Sequence, residues 1–183
     1  WSEPIRGSMG EVLGTFAIYH MKPTSPNEQD IELIMQSARL ASIAIERSRI
    51  RQSLAESEAH LRTLVRTMPD LIWLKDVDGV YLTCNPRFEQ FFGADEAEIV
   101  GKTDHDFVPK ELADSFRAHD RQAMEHGGSI NEEALTFARG GHQGVFETVK
   151  TPTFDAQGRL LGVLGVAREI TERKQLEQTL VQA

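Results

Sequence analysis

The segment DAQGRLLGVLGVAREITERK, Asp155–Lys174, constrains the fold of this chain more than any other. It reads as a tight turn, an apolar strand and a charged helix start. Asp155 and Gly158 supply the turn, Gly because it takes positive φ and Asp because its carboxylate caps nearby backbone. Leu160–Ala167 is a run of eight apolar or Gly residues. Such a run is too short to cross a bilayer and suits a strand buried on both faces. Thr171 is placed to N-cap the helix that follows. A central strand passing directly into an exposed helix is a mechanical coupling, because movement of the sheet is carried into the helix.

The preceding hundred or so residues alternate in the same legible way. Leu71–Lys75 and Val80–Cys84 read as strands about the turn Asp76–Gly79, with Asp78-Gly79 a strong hairpin signal. Asn85-Pro86 opens a short helix whose apolar face is Phe88, Phe91 and Phe92. Pro109–His126 reads as a longer helix ended by Gly127-Gly128. Ile130–Arg139, Val145–Phe154 and Arg159–Ile170 complete an order β-β-α-α-α-β-β-β.

Toward the N-terminus, Val12–Tyr19 reads as a strand and Pro23–Asn27 as a loop. Glu28–Thr67 has no Pro or Gly and reads as one long helix. Ile34, Ala38, Ala41 and Ile45 form a stripe suited to lying on a sheet. Leu33, Leu40, Arg47, Leu54, Leu61 and Met68 recur every seven residues, with Ile43, Ile50, Ser57 and Leu64 at the companion positions. This is a coiled-coil seam weakened at Arg47 and Ser57. It predicts a homodimer through the helical linker, a monomeric amphipathic connector being the alternative.

Charge narrows the partners. The net charge is −8, and residues 1–67 balance eight acids with eight bases. The whole excess therefore lies in residues 68–183, which argues against nucleic acid or an anionic membrane as a partner. The single cysteine, Cys84, excludes an intrachain disulfide and fits a reducing compartment, so a cytoplasmic location is expected. No signal peptide or membrane-spanning stretch is evident, so no direct membrane insertion is expected. The chain opens on Trp1 rather than Met, as an excerpt of a longer protein would.

The ending Glu169-Ile170-Thr171-Glu172-Arg173-Lys174 resembles the C-terminal signature of PAS sensor domains, with Glu169 where that family usually has Asp. The resemblance extends back through Gly101–Phe107 and Met68–Gly93. It implies an α+β PAS fold, one five-stranded antiparallel sheet with helices on one face. Residues 1–47 resemble the final third of a GAF domain: two strands, a Pro-rich loop and a closing helix ending Ala44-Ile45-Glu46-Arg47. A partial domain cannot close its core, so Trp1–Tyr19 is expected to be poorly held. The implied organisation is 1–50 the end of a GAF domain, 51–67 a helical linker, 68–170 a PAS domain and 171–183 an exit signalling helix.

No catalytic constellation is present: no nucleophile elbow, zinc motif, phosphate loop or kinase signature. The chain is therefore expected to sense and relay rather than catalyse. The resemblance implies an output domain in the same polypeptide, as in a histidine kinase or a diguanylate cyclase or phosphodiesterase. A ligand-free dimerisation spacer is the alternative from another class. The candidate pocket residues are Trp73, Phe88, Phe91, Phe107, Phe116, Phe137 and Phe146, with His119, Thr148 and Lys150. Alternation puts Phe146, Thr148 and Lys150 on one strand face, and an inward Lys150 needs a carboxylate, from Asp104 or Asp106 or from an acidic metabolite. His119 is expected to point inward with Leu112, Phe116 and Ala123. His119-Asp120 resembles the proximal site of haem-binding PAS domains, which makes a haem gas sensor a further alternative. Glu132 and Glu133 stand where those domains place an Arg, so no haem is expected. Cys84 precedes Asn85 rather than standing in the flavin-reactive helix, so it is read as a core residue. No cofactor or metal is expected. Glu169 and Thr171 are the expected coupling residues.

Overall fold

The computed structural model describes residues 1–181, so Gln182 and Ala183 of the expected exit helix lie outside the described residues. The chain forms two compact units, Trp1–Arg62 and the residues from Thr63 onward.

In the first unit, β1 (Ser2–Arg6) pairs antiparallel with β2 (Val12–Ala17). Helix α1 (Glu28–Thr67) begins here, and its last residues belong to the second unit. Its start is fixed by a reciprocal cap: the Asp30 N–H donates to Asn27 Oδ1 at 2.8 Å, and the Asn27 N–H donates to Asp30 Oδ2 at 3.1 Å. Ile5 of the hairpin is buried, and so are Ile34, Ala38 and Ser42 of α1. Ser42 stands where the predicted stripe had Ala41, because its hydroxyl reaches the Arg6 carbonyl at 2.6 Å.

In the second unit, β3 (Leu71–Asp76), β4 (Tyr81–Cys84), β5 (Ser129–Thr136), β6 (Gln143–Phe154) and β7 (Leu160–Glu169) form one antiparallel sheet. Its order is β4-β3-β7-β6-β5, so the last strand lies between the first and the sixth. Between β4 and β5 come α2 (Pro86–Phe92), α3 (Glu96–Ile99), a 3-10 turn (Asp104–Asp106) and α4 (Lys110–His126). Helix α5 (Thr171–Val181) follows β7.

Alternation decides which face is covered. Leu71, Trp73 and Lys75 of β3, Phe146, Thr148 and Lys150 of β6, and Val163 and Ala167 of β7 are buried. Leu164 and Val166, between the buried positions of β7, are only half-buried, and Val149 is exposed. Strand β7 is thus central in the sheet but not buried on both faces, contrary to expectation. Its apolar run reflects one packed face and one partly open apolar face.

Two local devices set the geometry of the covered face. Asn85, fully buried, accepts from the N–H groups of Ile72 and Phe88 through Oδ1 and donates to the Asp70 carbonyl through Nδ2. It caps α2 and pins that helix to β3 at once. Strand β5 ends at Thr136 rather than Arg139, because the Ala138 and Arg139 N–H groups turn away to the carbonyls of Phe91 and Gln90 at the end of α2. Those carbonyls would otherwise lack partners.

Candidate functional site

The covered face of the sheet carries two lysines in a place where lysine is rarely buried. Lys75 comes from β3 and Lys150 from β6, each only 1–2% exposed. Between them stands Asp120 of α4, fully buried, 2.9 Å from Lys75 Nζ and 2.6 Å from Lys150 Nζ. Asp104, on the 3-10 turn, is 2.5 Å from Lys75 Nζ. The Tyr81 hydroxyl donates to Asp104 at 2.6 Å, and Lys150 also donates to the Phe116 carbonyl at 2.9 Å. Charges alternate along the row Asp104, Lys75, Asp120, Lys150, so the buried set is balanced, the condition under which charges tolerate low dielectric.

The electrostatics follow from that row. Burial pushes the Asp120 carboxyl up, but the ammonium groups of Lys75 and Lys150 outweigh it and hold the carboxyl below its usual range. Burial pulls Lys150 down against the opposing pull of Asp120. Burial, then the Asp104 charge and hydrogen bond, raise the Tyr81 hydroxyl well above its usual value, so it remains a donor.

Against this polar row lies a cavity of about 20 Å³. Its apolar wall is Leu71, Trp73, Tyr81, Phe88, Phe91, Phe116 and Leu135, and its polar edge is Lys75, Asp104, Glu133, Thr148 and Lys150. That volume holds roughly one ordered water. A larger guest requires the aromatic side chains to move.

Six predicted pocket residues, Trp73, Phe88, Phe91, Phe116, Thr148 and Lys150, meet around this cavity. Four do not line it. Phe107 stacks outside on Phe92 at 4.6 Å between ring centroids. Phe137 and Phe146 pack on each other at 5.8 Å, and Phe137 also meets Phe91. His119 is half-buried, with Nδ1 3.1 Å from Glu133 Oε1. The inner stripe of α4 is Ala113, Phe116, Asp120 and Ala123, so Asp120 takes the inward position expected for His119. Lys150 is compensated by Asp120, not by Asp104 or Asp106; Asp104 serves Lys75, and Asp106 caps Thr103 at the surface. Sequence reasoning missed Lys75, because a lysine in a strand usually marks an exposed face. Its alternation with Leu71 and Trp73 was the available signal.

Cys84 is buried, and burial followed by the nearby Glu96 and Glu89 carboxylates pushes its thiol up to about 12. Such a thiol is unreactive. Among the described residues no group of His, Cys, Asp and Glu is arranged to hold a metal ion, and no helix is long and apolar enough to cross a membrane.

The far end of β7 joins the sheet to the exit helix. The Thr171 hydroxyl accepts from the Val145 N–H of β6 at 3.0 Å and donates to Glu169 Oε1 at 3.0 Å. It therefore clamps α5 to β6, where an N-cap of α5 itself was expected. His142 Nε2 lies 3.0 Å from Glu169, and Arg87 of α2 lies 3.9 Å from it. In the first turn of α5, Lys174 pairs with Glu132 of β5 at 2.7 Å and Arg173 with Glu147 of β6 at 3.5 Å.

Comparison with known proteins places this architecture. The profile of the family described as PAS fold matches residues 65–175. The methyl sulfide methyltransferase-associated sensor of Methanosarcina acetivorans is 34% identical over 97% of this chain and 18% of its own length. The methanogenesis regulatory histidine kinase FilI of Methanothrix harundinacea is 34% identical over 68% of this chain and 14% of its own. The chain thus spans less than a fifth of either relative. Among solved structures, the phage VqmA–DPO complex superposes with a TM-score of 0.56 at 26% identity, over 73% of this chain and 62% of that one.

Proposed function

The chain belongs to the PAS fold family, and from that premise we propose that it is the sensing and relay module of a longer signal-transduction protein. A disturbance at the cavity is passed along β7 into α5 and on to an output domain of the same polypeptide, a histidine kinase or a cyclic-dinucleotide enzyme. One observation carries this reading. A Cβ on Gly165 of β7 would overlap the indole of cavity-lining Trp73, and four residues later the same strand ends at Glu169, bonded to Thr171 of α5. Cavity wall and exit clamp are therefore two ends of one strand segment.

Gly165→Ala forces the indole or the strand to move, and Trp73→Phe trims the ring in place. The relay predicts that amide hydrogen exchange in the first turn of α5 accelerates in Gly165→Ala, while Ile99, buried on α3, stays protected. If Trp73 emission shifts in Gly165→Ala while α5 exchange is unchanged in both variants, the cavity is not coupled to the exit helix.

The relay is dimeric on the same reading. Leu33, Leu40, Leu54 and Leu61, the heptad positions of α1, are 58–68% exposed. Leucines repeated at that spacing on an open helix face match a parallel partner helix. The hairpin with the first turns of α1 is read as the end of a GAF domain, which the bond of the Ser42 hydroxyl of α1 to the Arg6 carbonyl suits.

A further inference from the structure

The Glu169 carboxylate at the end of β7 has two hydrogen-bond partners, Thr171 of α5 and His142. His142 stands just before β6, its carbonyl accepting from the Phe137 N–H at 2.8 Å. Its Nε2 lies 3.0 Å from each Glu169 oxygen, and Oε1 also accepts the Thr171 hydroxyl at 3.0 Å. Gly144 makes room for this arrangement. A Cβ there would stand 2.6 Å from Glu169 Oε1 and 2.9 Å from Thr171 Oγ1. The ring is held as well: it meets the buried Phe137 edge-on at 5.4 Å, and the Arg87 guanidinium covers the same phenyl ring at 4.6 Å.

A neutral imidazole that faces a carboxylate through Nε2 carries its hydrogen there. A second proton enters at Nδ1 and sets a full positive charge against Glu169, which makes the bond charge-assisted and stronger. Imidazole ordinarily makes this change between about pH 5 and 8. The other charged groups at the junction are arginines, a lysine and carboxylates, side chains whose ordinary titration lies outside that range. Arg87 of α2 is 3.9 Å from Glu169, and Arg66, Asp70 and Arg168 border the same groove, with Arg168 bonded to Asp70. Arg173 and Lys174 of α5 pair with Glu147 and Glu132. His105 pairs with Asp114 and His119 with Glu133, carboxylates of α4 and β5 rather than of this junction.

We propose that the exit clamp is a second input to the module, read in protons: the His142 imidazolium holds Glu169, and through it Thr171 at the start of α5, more tightly than the neutral ring does. This rests on the reading of the β7–α5 junction as the place where the signal leaves the sheet, not on the cavity as its source. The hold is complete at acid pH and is lost as pH rises through the titration of His142. His142 is 45% exposed and Glu169 32%, so protons arrive directly from solvent and the effect is moderate.

The clamp is read by amide exchange, corrected for its intrinsic pH dependence, at Val145, whose N–H donates to Thr171, and at Lys174, whose N–H donates to the Ile170 carbonyl. Protection at both, relative to the Ile99 amide of α3, is expected to fall about two- to fivefold between about pH 5.5 and 7.5. Its midpoint should match that of the His142 imidazole resonance. His142→Gln, which keeps a neutral N–H donor, should flatten the profile at the weaker level. Glu169→Gln should flatten it while His142 still titrates. A flat or rising profile in the wild-type chain overturns the proposal. So does a fall that survives either variant, or one whose midpoint departs from that of His142. Gly165→Ala leaves His142, Glu169 and Thr171 in place, so coupling of the cavity to α5 and the proton response of the clamp fail separately.

Discussion

Asp120 is the residue on which the buried charges depend, because among the described residues it is the carboxylate paired with both lysines. Removing one partner of a buried ion pair costs about 3–5 kcal/mol, since the charge left behind stays desolvated. Asp120→Asn should therefore destabilise the domain by ~3–5 kcal/mol in urea unfolding, more than any single phenylalanine-to-leucine change on α2. A pH signature accompanies it. The folded Asp120 carboxyl is held below its usual range by Lys75 and Lys150 despite its burial. Its contribution is complete above the unfolded value of about 4 and is lost as pH falls through the lower folded value. Stability of the wild-type protein should fall across that acid range, and the Asp120→Asn curve should be flatter there. Equal slopes in the two proteins would show that folding does not lower the Asp120 carboxyl below its unfolded value. Asp120 and His119 illustrate what residue patterns resolve. The apolar stripe of α4 was legible at 3.6-residue spacing, but which of two adjacent polar residues turns inward was settled by the two ammonium groups waiting across the sheet.

The junction of β7 and α5 is where element-scale behaviour is decided. Thr171 holds the Val145 N–H of β6 while donating to Glu169 of β7, so three elements share one hydroxyl. Leaving that N–H without a partner costs about 1–3 kcal/mol if it stays buried. Thr171→Val should therefore speed amide exchange at Val145 and through the first turn of α5, and Thr171→Ser should restore it. Equal protection in Thr171→Val and wild type would remove the clamp from the mechanism. Glu169 is about one-third exposed and partnered by an exposed His142. Glu169→Ala is expected to change stability by less than ~1 kcal/mol, as partly exposed pairs do, while altering output of the whole protein. The motif resemblance marked both residues. Only the packed structure showed that Thr171 faces β6 instead of capping its own helix, because a cap and a cross-strand clamp need the same hydroxyl at the same chain position.

At the scale of the whole molecule, α1 carries the test of assembly. Its heptad leucines are exposed, and a single glutamate at a seam position places a charge in the contact between two helices. The double variant Leu54→Glu, Leu61→Glu should sediment as a monomer where the wild-type chain sediments as a dimer. The same mass for both proteins at every concentration would remove α1 as the dimer contact.

Periodicity and punctuation determined much of this protein in advance. The order of strands and helices, the long α1, the hairpin at Asp78-Gly79 and the coupling of the last strand to an exit helix were all readable, because each depends on local spacing and turn chemistry. Four aromatic residues of the cavity wall, Trp73, Phe88, Phe91 and Phe116, were readable as well, whereas Phe107, Phe137 and Phe146, expected beside them, pack away from it. Tertiary structure alone decided how the charges of the polar half are paired. Lys75, Asp104, Asp120 and Lys150 lie on four elements brought together by the β4-β3-β7-β6-β5 order. Pairing across such sequence distances leaves no local trace, because alternation can turn a lysine inward but does not say which carboxylate will stand opposite it.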